Sequence, residues 1–148
     1  MLNLIIPFKL LSYNQYYRNS RTGKRIKTGA GLAYDEELGE LLSGHAKALI
    51  SFGEDIDLSK NIVKLEIFNF KSRFFTKSGA LSKVAGDWDN PIKVLQDKIF
   101  KAMEMDDYVI KIGHVEDIPS DEDGVIIKLT LVPLPAVRSF EDFTIGEH

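Results

Sequence analysis

The chain has 148 residues, 44% hydrophobic and 28% charged, a balance that suits one folded domain and excludes a disordered or fibrous chain. It has no cysteine, so a disulfide framework, a thiolate zinc site and a cysteine nucleophile are excluded together. The net charge of −3 conceals a segregation: Met1 to Tyr34 carries six Lys or Arg and no acid, leaving 13 basic and 22 acidic residues to the other 114.

The opening run MLNLIIPFKLL is too short to span a membrane and lacks the features of a signal peptide, so a cytoplasmic protein without membrane association is expected. Within it, NLIIPF reads as a strand stopped by Pro7, followed by a long basic loop through about Gly31. AYDEELGELLSGHAKALIS places Leu38, Leu41, Leu42, Ala46 and Leu49 at helical spacing, with acids in the first turn where the helix dipole favours them. NIVKLEIF alternates and reads as a half-buried strand. Residues 67–86 are again free of acid and carry Lys71, Arg73, Lys77 and Lys83 among aromatics. A second helix is predicted from about Pro91, with Asn90 as N-cap and an apolar stripe of Ile92, Leu95, Ile99 and Met103. YVIKIGHV and GVIIKLTLVPL read as two strands, expected to form a hairpin across the acidic connection EDIPSDEDG. The tail after Pro135 has no clear period and is either a docked segment or a frayed end. The order β, α, β, α, β, β predicts a single compact α+β domain over residues 1–135, with a mixed sheet of about four strands and two main helices, and a tail over 136–148.

Aspartates bracket the second helix. Asp87 and Asp89 are two apart in an extended segment, so both carboxylates can face one site. Carboxylates are the ligands Mg²⁺ prefers, and basic segments flanking an acidic cluster suit a metal-dependent enzyme acting on phosphodiesters. A helix of roughly 14 residues is about 20 Å long, so Asp107 joins such a site only if the chain turns back beyond Asp106. Lys93, one turn into the helix, could reach a phosphate oxygen there. The structural alternatives are capping by Asp89 and Asn90, loop polarity at Asp106 and Asp107, and a Lys93–Asp97 surface pair. Tyr16, Tyr17, Phe74 and Phe75 either stack on bases or pack in the core, with packing favoured. SRTGKR lacks the first glycine of a phosphate-binding loop, and His45, His114 and His148 are isolated.

The pattern D-x-D-N-x-x-K-x-x-x-D through Asp87, Asp89, Asn90, Lys93 and Asp97, followed by Asp106 and Asp107, resembles the RusA family of Holliday-junction resolvases. SYNQYYR, Ser12 to Arg18, is similar to the segment that family carries after its first strand. The resemblance covers roughly residues 3 to 132. It implies a homodimeric, Mg²⁺-dependent endonuclease, with Mn²⁺ as the other usable ion, that nicks opposing strands of branched, four-way DNA. By position it gives Asp87, Asp89 and Asp107 as metal ligands, Asp106 as the neighbouring acid and Lys93 as the catalytic lysine. The expected DNA grip is Asn14, Arg18, Arg21, Lys24, Arg25 and Lys27, with Lys71, Arg73 and Lys77 standing in for arginines the family carries before its D-x-D. Trp88 and the segment from Lys71 to Gly86 depart from the family pattern. The other readings are a nuclease for forks or flaps, and a non-catalytic branched-DNA-binding or assembly protein.

Overall fold

The fold is that of a computed structural model describing residues 1–83 and 90–145, with only the backbone of Asn90 and Ile145. In chain order the elements are β1 (Leu2–Ile6), α1 (Tyr13–Tyr16), β2 (Tyr17–Asn19), β3 (Arg25–Lys27), α2 (Gly29–Gly44), α3 (Ala46–Glu54), β4 (Asn61–Lys71), α4 (Asn90–Ala102), β5 (Ile110–Pro119), β6 (Gly124–Pro133) and α5 (Phe140–Ile145). A 3₁₀ turn over Asp107–Val109 leads into β5. The predicted α+β class and four-stranded mixed sheet are observed.

The sheet order is β1-β6-β4-β5. β4 is parallel to β5 and antiparallel to β6, which is antiparallel to β1. The expected β5–β6 hairpin is therefore absent, because β4 lies between the two strands. The reason is the crossover. A helix between two strands carries the chain back to the starting end of the sheet, so β5 runs parallel to β4 and its other neighbour must come from elsewhere. The short link Ser120–Asp123 crosses the end of β4, where the Ser120 N–H donates to the Lys71 carbonyl at 3.2 Å. Asp123 Oδ1 accepts there from the Ser72 N–H at 2.8 Å and the Ser72 hydroxyl at 3.0 Å.

One face of the sheet is apolar and buried through Leu4 and Ile6, Val63, Leu65 and Ile67, and Val125, Ile127 and Leu129, all 4% exposed or less. Against it pack Leu38, Leu42, Leu49 and Phe52 from α2 and α3, Leu95, Ile99 and Phe100 from α4, and Met103 just beyond α4, in one continuous core. The stripe predicted for the second helix is the stripe that is buried.

Two local expectations differ. The first predicted helix is two, broken at His45, whose φ of −109° and ψ of 13° leave helical geometry. It also begins earlier, within the predicted loop, because Thr28 caps α2 by accepting from the Gly31 N–H at 2.9 Å. The acids of this segment consequently lie beyond the first turn. The loop itself contains α1 and the antiparallel β2–β3 ribbon. Among the described residues no helix is long and apolar enough to cross a membrane. In the tail, α5 is peripheral, with Val137 and Phe140 exposed.

Candidate active site

Ser12 and Gln15 form a reciprocal capping box, the hydroxyl accepting from the Gln15 N–H while the Gln15 side chain accepts from the Ser12 N–H. This one turn of helix sorts three tyrosines. Tyr16 is 2% exposed and enters the core, whereas Tyr13 and Tyr17 remain half-buried with ring centroids 5.0 Å apart. Packing is thus the outcome for Tyr16, while Tyr17 and Tyr13 present rings to a cation. The Arg25 guanidinium lies 4.4 Å from the Tyr17 centroid and 5.2 Å from that of Tyr13.

α4 supplies the opposite wall. With its apolar stripe buried, Lys93, Asp97 and Lys101 recur every four residues on an exposed face, with Lys98 beside them. The Lys93 ammonium lies 5.2 Å from the Tyr13 centroid, on the far wall from its own helix. Between the walls is a cavity of about 290 Å³ lined by Tyr13, Tyr17, Arg25, Lys27, Lys93, Lys98 and Lys101 among others, with Asp97 as its acid. The walls are mainly cationic and aromatic, a combination that grips phosphate and offers π-faces to bases.

Asp35 of α2 sits behind this cavity. Its carboxylate accepts from Lys27 at 2.7 Å, from Lys98 at 2.7 Å and from the Tyr16 hydroxyl. Burial pushes the Asp35 carboxyl up, but the bonds from Lys27, Lys98 and Tyr16 outweigh it and hold the group at about 2. Lys27 is correspondingly raised, chiefly by its hydrogen bond to Asp35. Tyr16 is raised first by burial and then by that same carboxylate.

The acidic residues are only partly placed. Asp87 and Asp89 lie outside the described residues, as does the side chain of Asn90 and with it the expected cap. Beyond α4 the chain does turn back. Glu104 adopts φ 57°, the Glu104 N–H donates to the Lys101 carbonyl and the Met105 N–H to the Phe100 carbonyl, which together make a Schellman turn. The return is close enough for Gln96 Nε2 to donate to Asp107 Oδ2 at 3.1 Å. Gln96 is six residues from Asn90, so about 9 Å of helix separates this contact from the entry of α4. Asp106 is exposed beside it. Among the described residues no three His, Asp or Glu side chains converge to hold a metal ion. The donor chemistry at Asp107 suits Mg²⁺, but a cage around it requires Asp87 and Asp89.

The remaining predicted contacts fall in two places. Asn14 and Arg18 are exposed beside the cavity's tyrosines, and Arg21 and Lys24 are exposed in the turn joining β2 to β3, where Gly23 takes φ 82°. Lys71, Arg73 and Lys9 line a different cavity, with Asp123. Lys71 there is 7% exposed and its ammonium is 2.8 Å from Asp117, so it is a buried ion-pair partner, while Arg73 and Lys77 are exposed. Phe75 is 53% exposed, contrary to the packing expected of it, and meets Phe74 edge-on at 4.9 Å. Tyr13, Asp35, Lys98 and Lys101 escape sequence reasoning as a site; the one available signal is the recurrence of Lys93, Asp97 and Lys101 on the polar face of α4.

No family model and no curated protein matches the chain.

Proposed function

We propose that the chain is a metal-dependent endonuclease acting on branched DNA, with Holliday junctions as the substrate the RusA resemblance favours. The observation that carries this reading is the position of Lys93. It is exposed on the wall of a cationic, aromatic cavity, on the helix whose entry follows Asp87 and Asp89 in sequence and whose middle is touched by Asp107. Asp87, Asp89 and Asp107 would hold Mg²⁺ or Mn²⁺, with Asp106 alongside. The ion, when bound, would supply an activated water and neutralise charge at the phosphate. Arg25 and the exposed Arg18 would hold the strand by its phosphates, and Tyr13 and Tyr17 would limit its sideways movement. Lys93 would place its ammonium against a non-bridging phosphate oxygen and favour the added charge of the transition state.

Two coordinated nicks require two active sites related by a two-fold axis, so the active species is a homodimer. Light scattering that finds only monomer at working concentration would contradict that part. The Asp89→Asn variant separates an enzyme from a binding protein. Cleavage should disappear while junction affinity is kept or rises, since a negative charge near the backbone is removed. A cavity built from cations and aromatic rings also suits a non-catalytic branched-DNA-binding protein, which cleavage absent from the wild type would leave standing, whereas cleavage undiminished in Asp89→Asn would remove Asp89 from the site.

A further inference from the structure

We propose that Asp35 is an internal counterion of the cationic cavity, withholding Lys27 and Lys98 from phosphate; this rests on reading the cavity as a phosphodiester-binding surface. Lys27 comes from β3, Lys98 from α4 and Asp35 from α2, so one carboxylate joins three elements. Both lysines line the cavity, yet both ammonium groups are directed 2.7 Å onto Asp35. The Tyr16 hydroxyl donates to the same carboxylate and is itself fixed in the core. The Asp35 side chain is 19% exposed and that of Lys98 28%, so this pairing is less screened than an open surface pair.

Two consequences follow. A lysine already neutralised releases no further counterion when DNA arrives, so the cavity takes fewer phosphates than its lysine count suggests. Sharing one carboxylate also ties the β2–β3 ribbon to α4, which sets the separation of Arg25 from Lys93. Asp35 is therefore a positioning residue. It limits non-specific grip and keeps the remaining cations at a spacing suited to one strand.

The test is the salt dependence of binding to a labelled single-stranded 20-mer, read by fluorescence anisotropy. For Asp35→Asn the slope of log Kd against log salt should steepen by about 1 to 1.4, the contribution of two more phosphate contacts on a single strand, with tighter binding at low salt. Glu40→Gln, the same charge change on an exposed part of α2, should leave the slope unchanged. Lys27→Met should leave the wild-type slope unchanged but remove about half of the gain in the Asp35→Asn background. An unchanged slope in Asp35→Asn overturns the proposal while leaving the endonuclease reading intact. If Asp35→Asn does not fold, Lys27→Met alone decides, because a loss of about 0.7 in slope would show that Lys27 already contacts phosphate. A wild type that does not bind this strand is read on a labelled four-way junction instead; failure there as well would remove the endonuclease reading, with the counterion kept if Asp35→Asn gains binding and removed with it if not.

Discussion

Lys93 is exposed and one turn into α4, so its removal tests chemistry with little effect on folding. In Lys93→Ala, single-turnover junction cleavage should fall about 10²- to 10³-fold, the scale of losing one transition-state donor. Stability measured in urea should change by no more than about 0.5 kcal/mol. Cleavage within threefold of wild type would contradict the assignment. Asp35 predicts a pH effect of definite sign. Its folded value of about 2 lies below the ordinary 3.8, so its contribution to stability is complete above the ordinary value and is lost as pH falls toward 2. The stability gap between wild type and Asp35→Asn should therefore be larger at pH 6 than at pH 2.5; an equal gap would contradict the ion-paired geometry. The exposed place of Lys93 on α4 was legible because the apolar stripe beside it is local in the chain. Asp35 was not, because its partners Lys27 and Lys98 come from separate elements and a single acid in a helix looks like an ordinary surface charge.

Among the elements, α2 gives the sharpest contrast. A Cβ at Gly31 would lie 2.4 Å from the Tyr16 carbonyl oxygen, a backbone atom fixed by the Thr28 N–H at 3.0 Å, whereas at Gly39 it would meet nothing within 4 Å. Gly31→Ala should thus destabilise by about 1–3 kcal/mol through overpacking, while Gly39→Ala should stabilise by about 0.5–1 kcal/mol through helix propensity. Thermal or urea unfolding of the two variants checks both signs, and equal behaviour would contradict the docking of α1 on α2. The helical stripe of α4 and the alternation of β4 were readable because burial imposes a period on the chain. The β5–β6 pairing was misread because periodicity identifies a strand and says nothing about which strand lies beside it. α1, β2 and β3 were missed for another reason. They are three or four residues long, and the Ser12–Gln15 capping box that starts α1 is a local pair of backbone-to-side-chain bonds inside a polar stretch.

For the whole molecule, segregated charge becomes segregated surface. The basic amino-terminal segment supplies Arg25 and the Asp35-paired Lys27 to one cavity with Lys93, and the acid-free segment from Ile67 supplies Lys71, the last residue of β4, and Arg73 to another with Lys9. The proposed preference for branched DNA would draw on both regions, with Lys9 and Arg73 as the exposed cations of the second, since Lys71 is paired with Asp117. Metal-dependent chemistry is proposed beside the Lys93 cavity. It is tested most directly by incubating purified protein with an end-labelled synthetic four-way junction, with Mg²⁺ or with chelator, beside a linear duplex of the same sequence. Paired nicks in opposing strands of the junction, dependent on Mg²⁺ and absent from the duplex, are expected. Tight binding of the junction with no cut under any divalent cation would contradict it.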